Sequence, residues 1–139
     1  MRSSENIVAG YSGTPLVKKL GLKPCMRIAL PDVPKDIRAE IADIVADCTM
    51  AQRAPLDFIL FFTDAQSRLK RDFPKWAKQL EPAGILWVAW PKKTSGVKTD
   101  LDENVVRAIG LNAGLVDVKV CAINETWSGL KFVYRLRDR

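Results

Sequence analysis

Histidine is absent from all 139 residues. That absence excludes Ser-His-Asp and Cys-His catalysis, the usual zinc sites and the ordinary pH switch near neutrality. Cysteine is scarce: Cys25, Cys48 and Cys121 are widely spaced, odd in number and form no C-x-x-C pair. They read as three reduced, mostly buried thiols of a cytoplasmic protein; the alternative, a reactive thiol, requires a depressed pKa. No apolar run approaches the roughly 20 residues of a membrane span, and the N-terminal MRSSENIVAGYSG lacks the apolar core of a signal peptide. Dense basic tracts are missing too. The net charge of +6 is spread over Lys18-Lys19, Lys70-Arg71, Lys92-Lys93 and the C-terminal arginines. This reads as solvated surface charge, with an anionic ligand as the alternative. Aromatics interleaved with Lys and Arg are not visible, which argues against nucleic acid as a partner.

What is present is 47% apolar composition in a length that suits one domain. Residues 1–13 read as a flexible segment and 14–139 as a single α/β domain. Thr14-Pro15 reads as a cap and first turn for a short helix that stops at Gly21. Residues 26–30 (MRIAL) read as a buried strand. Ile37, Ile41, Ile44 and Val45 then form one helical stripe, with Pro34 in the first turn and Asp32 or Asp36 at the positive helix end. Residues 48–55 read as a short edge strand or as loop. LDFILFF (56–62) is too continuously apolar to have a wet face and reads as a strand covered on both sides.

Thr63 or Asp64 is expected to cap the next helix, which Pro74 should kink or divide. Pro82-Ala83-Gly84 reads as a turn before a strand at 85–90 (ILWVAW). Trp87 and Trp90 fall on opposite faces of that strand and read as core. Thr99 with Asp102 resembles a capping box for a helix through Leu101, Val105 and Ile109, ended by Gly110 or Gly114. Strands at 116–123 and 130–136, separated by the six residues NETWSG, read as an antiparallel hairpin. The pattern predicts a Rossmann-like α/β fold: a mostly parallel three-layer sheet, strand 85–90 inside it, completed by the C-terminal hairpin.

Residues 56–136 resemble the second half of class I S-adenosylmethionine-dependent methyltransferases. The matching pieces are Leu56-Asp57-Phe58-Ile59-Leu60, the turn Leu80-Glu81-Pro82-Ala83-Gly84, and Ala113-Gly114-Leu115 before the hairpin. GYSGTPLVKKLGL, LWVAWPKKTSGVKTDL and NETWSGLKFV also resemble a family of small bacterial proteins that carries no established reaction. The methyltransferase resemblance implies a glycine-rich turn after the first strand and an acidic residue ending the second, to hold the cofactor's ribose. This chain has no glycine between Gly21 and Gly84, and Pro31 and Pro34 occupy the expected turn. About a dozen residues separate the first long helix from LDFILFF, too few for a second strand, a helix and a third strand. The reading is a shortened methyltransferase-like fold without the standard cofactor grip, and no cofactor is expected.

Open α/β sheets bind ligands at the carboxyl ends of their strands. The loop PKKTSG offers Lys92, Lys93 and Ser95 there, suited to an anion or simply to solvent. Tyr11 and Thr14 come from the glycine-bounded N-terminal segment; Tyr11 is a docking anchor or a lid. Trp127, placed in the hairpin loop, folds back on the hairpin or stacks on a ligand. Asp32 and Asp64 are a carboxylate pair or two helix caps; no metal site can be assembled. The expected function is a non-catalytic or regulatory binding module for a small anionic ligand, a protein partner or a second copy. The alternative is a methyltransferase-like enzyme with an atypical cofactor site.

Overall fold

A computed structural model describes residues 14–139; the expected flexible segment 1–13, with Tyr11, lies outside the described residues. In chain order the elements are α1 (Leu16–Leu20), β1 (Arg27–Ala29), α2 (Lys35–Val45), β2 (Thr49–Met50), β3 (Leu56–Phe62), α3 (Gln66–Gln79), β4 (Leu80–Pro91), α4 (Glu103–Asn112), β5 (Leu115–Ala122) and β6 (Trp127–Tyr134). One six-stranded sheet runs β2-β1-β3-β4-β6-β5. β1 pairs in parallel with β2 and β3, and β3 with β4; β6 is antiparallel to both β4 and β5. The hairpin thus completes the sheet beside β4, as its position in the sequence implies.

The unbroken apolar runs of β3 and β4 follow from burial on both faces. Phe58, Leu60, Phe62, Trp87 and Ala89 face a core with α1 and α2, whereas Ile59, Phe61, Leu86, Val88 and Trp90 face a second core with α3 and α4. Each large side chain fully buried there contributes about 1.5–3 kcal/mol. The three layers are those the alternation predicts, and Trp87 and Trp90 do lie on opposite faces. Residues 48–55 do contribute an edge strand, two residues long. Asp57 accepts the Arg27 amide at 2.9 Å, tying the start of β1 to β3.

Several boundaries differ from expectation, each for a local reason. Pro15, not Thr14, is the N-cap of α1, and no side chain caps it. Neither Thr63 nor Asp64 caps α3: Ala65 is the N-cap, and the first helical amide, Gln66, donates to Asp100 Oδ1 at 2.7 Å from 34 residues away. Pro74 does not divide α3, whose Leu69, Phe73 and Ala77 are buried against the sheet. The expected turn at 82–84 lies inside β4. Register passes from Leu56↔Leu80 to Phe58↔Ile85, so β4 bulges while pairing continues on both sides. A Cβ on Gly84 would stand 3.0 Å from the carbonyl oxygens of Glu81 and Leu56, so the bulge needs glycine.

Asp102 alone caps α4, accepting the Val105 amide at 2.8 Å; Leu101 precedes the helix. The helix runs through Gly110, and Gly114 takes the left-handed exit at φ 98°. The hairpin loop is residues 123–126, because Asn124 Oδ1 accepts the amides of both Thr126 and Trp127 at 2.9 Å and closes it early. The cysteines are free, but Cys25 is exposed and Cys48 and Cys121 only half-buried. Burial pushes both half-buried thiols above the usual range, the opposite of what a reactive thiol requires. No described helix is long and apolar enough to cross a membrane.

Candidate functional site

The carboxyl edge of β1, β3 and β4 is where this topology gathers polar residues. After β1 the chain turns through residues 30–34. Asp32 takes the left-handed conformation at φ 60° that glycine would adopt more easily, and the Val33 amide reaches back to the Leu30 carbonyl. The Pro31 carbonyl accepts the Phe62 amide at 3.1 Å, stitching the turn to the end of β3. Pro34 holds the N-cap position of α2, with Asp36 in the first turn. Two prolines therefore stand where bare amides would be needed to cradle a cofactor.

The loop after β4 is tightly made. The Lys92 amide donates to the Thr126 carbonyl at 2.8 Å, coupling the loop to the hairpin. Residues Lys93–Ser95 form a 3-10 turn that Gly96 leaves at φ 79°. The Ser95 hydroxyl donates to the Lys92 carbonyl at 2.6 Å and accepts the Val97 amide at 3.1 Å, so Ser95 holds the loop's shape from within. Further on, Thr99 donates to the Asp64 carbonyl at 2.6 Å, and with Asp100 on Gln66 it pins the loop to the start of α3.

Between this loop and α4 lies an open cleft of about 400 Å³, lined by Lys92, Lys93 and Thr94 on one side and Asp102, Glu103 and Ser128 on another, with Trp90 also in its wall. The formal charges of these side chains balance, but the carboxylates are already engaged. Asp102 caps α4, and Glu103 pairs with Arg107 at 2.5 Å, which also holds Asp117 at 2.8 Å. Lys92 and Lys93 have no ion-pair partner among the described residues. The arrangement leaves two ammonium groups beside a helix N-terminus, a setting that favours negative charge.

The structure brings together only part of the expected set. Lys92 and Lys93 share the cleft, whereas Ser95 braces the loop behind it. Trp127 is not a loop residue. It starts β6 opposite Pro91 and packs edge-on against Phe62, ring centroids 4.8 Å apart. Thr14 is exposed just before α1, and Tyr11 lies outside the described residues. Asp32 and Asp64 do not form a pair of caps: Asp64 bridges Arg68, and Asp32 lines a groove with Gln52 and Trp76. No group of three or more His, Cys, Asp or Glu residues suited to a metal occurs among the described residues. Sequence reasoning missed Asp102 and Glu103 as cleft residues and Asp100 as the loop's anchor. For Asp102 the signal was its spacing three residues before Val105; for Asp100 no local signal exists.

The residues do not fit the cofactor that the methyltransferase resemblance implies. The second strand, Thr49–Met50, is followed by Ala51 and Gln52, so no carboxylate stands at its end for the ribose hydroxyls, and the turn after β1 has no glycine. No family model matches the chain, and no curated protein does. Solved structures do. A SAM-dependent methyltransferase from Aquifex aeolicus superposes with a TM-score of 0.57 at 15% identity, over 84% of this chain and 86% of that one. A TehB-like SAM-dependent methyltransferase from Corynebacterium glutamicum gives 0.55 at 9% identity, over 91% of each chain. Magnesium protoporphyrin IX methyltransferase from Synechocystis, with bound SAH, gives 0.57 at 11% identity, over 86% and 78%. Sheet order, layering and these likenesses together give the chain the Rossmann-like fold of class I S-adenosylmethionine-dependent methyltransferases, in a shortened form whose second strand is two residues long.

Proposed function

We propose that this protein is a non-catalytic or regulatory binding module that has kept the methyltransferase-like sheet and holds a small anionic ligand in the cleft of Lys92 and Lys93. The observation that carries this reading is the pair of lysines, without an ion-pair partner among the described residues, beside the N-terminus of α4, with both neighbouring carboxylates committed elsewhere. Thr94 supplies a hydroxyl in the same cleft, Ser95 keeps the loop in shape, and Trp127 fixes the end of β4 from the hairpin side. Tyr11 and Thr14 enter as neighbours on sequence grounds alone. The free thiols and the lack of any disulfide framework support a cytoplasmic setting. A protein partner, including a second copy, is the other occupant this edge would suit.

The second reading is a methyltransferase-like enzyme with an atypical cofactor site, favoured by the likeness to methyltransferases. One pair of measurements separates them. Isothermal calorimetry with S-adenosylmethionine should show no binding at micromolar concentrations; a micromolar Kd would install the enzyme reading. A thermal-shift screen with small mono- and dicarboxylates should find an anion that raises the melting temperature by mass action. In the Lys92→Ala, Lys93→Ala variant that rise should vanish, with the ligand-free melting temperature changed by no more than about 2 °C, since exposed charges contribute little to folding. A full ligand response in the variant would remove the cleft from consideration.

A further inference from the structure

The sequence scatters its lysines; the fold gathers several of them on the α1 side of the hairpin, away from the cleft of Lys92 and Lys93. Lys119 on β5 stands directly opposite Lys131 on β6, and Lys131 in turn stands opposite Trp87 on β4. Directly opposed residues project to the same face, so both lysines share the face of Trp87, whose indole packs in the core with α1. The Lys119 ammonium donates to the Lys19 carbonyl at the end of α1, at 3.4 Å. Lys23 follows α1 in sequence and is close enough to act on Lys131 electrostatically.

No carboxylate among the described residues forms an ion pair with Lys23, Lys119 or Lys131. Like charges directly opposite on an antiparallel pair destabilise a sheet. Lys131 is also half-buried, and that burial, together with Lys119 and Lys23, pushes its ammonium below the ordinary lysine range. An arrangement that opposes folding in this way is relieved by a compact anion seated among the ammonium groups. Lysines without arginine suit a phosphoryl group, which they bind as point charges without the planar geometry a guanidinium demands.

We propose that Lys119 and Lys131 form a second anion site, for a phosphate group, on the α1 side of the hairpin. The test is thermal denaturation of the whole chain, alone and with inorganic phosphate or glycerol 3-phosphate. Lys131→Met keeps the aliphatic stem and removes the charge; Lys119→Gln does the same from a more exposed position and serves if the first variant folds poorly. Each variant should melt about 1–4 °C higher than the parent without ligand, because the opposed charges are gone. Phosphate at about ten times its Kd should raise the parent's melting temperature by about 4 °C. That rise should be lost in both variants and kept, at least in part, in Lys92→Ala, Lys93→Ala. Tighter binding of glycerol 3-phosphate than of phosphate assigns the site to an organic phosphate; equal binding assigns it to the free ion. A phosphate response that survives in Lys131→Met and Lys119→Gln overturns the proposal. So does stabilisation by heparin with none by either phosphate, which would mark an unspecific basic surface. Loss of the response only in the Lys92, Lys93 variant would overturn this site and leave the cleft standing.

Discussion

Replacing Trp87 by alanine should lower the melting temperature by about 10 °C or more. Trp87 is fully buried at the centre of the sheet, and its indole donates to the Leu20 carbonyl at 2.7 Å. That bond ties β4 to the last turn of α1, a five-residue helix. A helix this short has no stability of its own in water and persists through docking. Its other anchors are the buried Leu16 and Leu20. Truncating a buried tryptophan costs about 3–5 kcal/mol, which for a chain of this size is about 10–15 °C. Trp87→Phe separates packing from bonding. The ring volume is largely kept, but the Leu20 carbonyl loses its partner, at a cost of about 1–3 kcal/mol. Thermal circular dichroism gives the total, and hydrogen exchange should show faster opening of the amides of Gly21 and Leu22, which close the end of α1. A fall of less than about 3 °C for Trp87→Ala would mean that Trp87 is not the keystone of this core.

Gly110→Ala should destabilise the protein, reversing the usual sign. An interior glycine costs a helix about 1 kcal/mol relative to alanine, so the substitution ordinarily helps. Here a Cβ on Gly110 would come within 2.7 Å of three ring carbons of Phe132. Phe132 is fully buried and sits edge-on to Phe73, centroids 5.1 Å apart, so its ring has nowhere easy to go. Overpacking of this kind costs about 1–3 kcal/mol at ordinary sites, and an overlap this deep belongs at the top of that range or above it. The expected net loss is about 2 kcal/mol, or about 6 °C. Phe132→Leu in the Gly110→Ala background should recover part of it, since the two side chains compete for one space and their effects cannot add. A higher melting temperature for Gly110→Ala would show that α4 stands farther from β6 than described.

The strands and helices legible beforehand were those whose burial is written into local periodicity. LDFILFF and ILWVAW announce strands covered on both faces, and Ile37 and Ile41 announce the buried stripe of α2. The missing glycine between Gly21 and Gly84 likewise announced a turn after β1 built without glycine, where Asp32 takes the left-handed conformation that glycine would adopt more easily. Less was legible of the candidate site. Lys92 and Lys93 were in view as a loop, but Ser95 is consumed by its own turn. Trp127 belongs to a strand because Asn124 closes the hairpin sooner than the six residues NETWSG imply.

By itself the sequence determined which segments must be buried, how they alternate between strand and helix, and which chemistry the absence of histidine excludes. The tertiary structure alone decided which distant residues complete one another. Asp100 supplies the acceptor for α3, Thr126 holds Lys92, Phe132 requires glycine at position 110, and Lys119 is set against Lys131. The physical reason is range. Hydrophobic periodicity is a property of neighbouring residues, and a short stretch of chain displays it. Hydrogen bonds, steric overlap and Coulomb forces act over a few ångströms between groups that the chain brings together only once the sheet has closed.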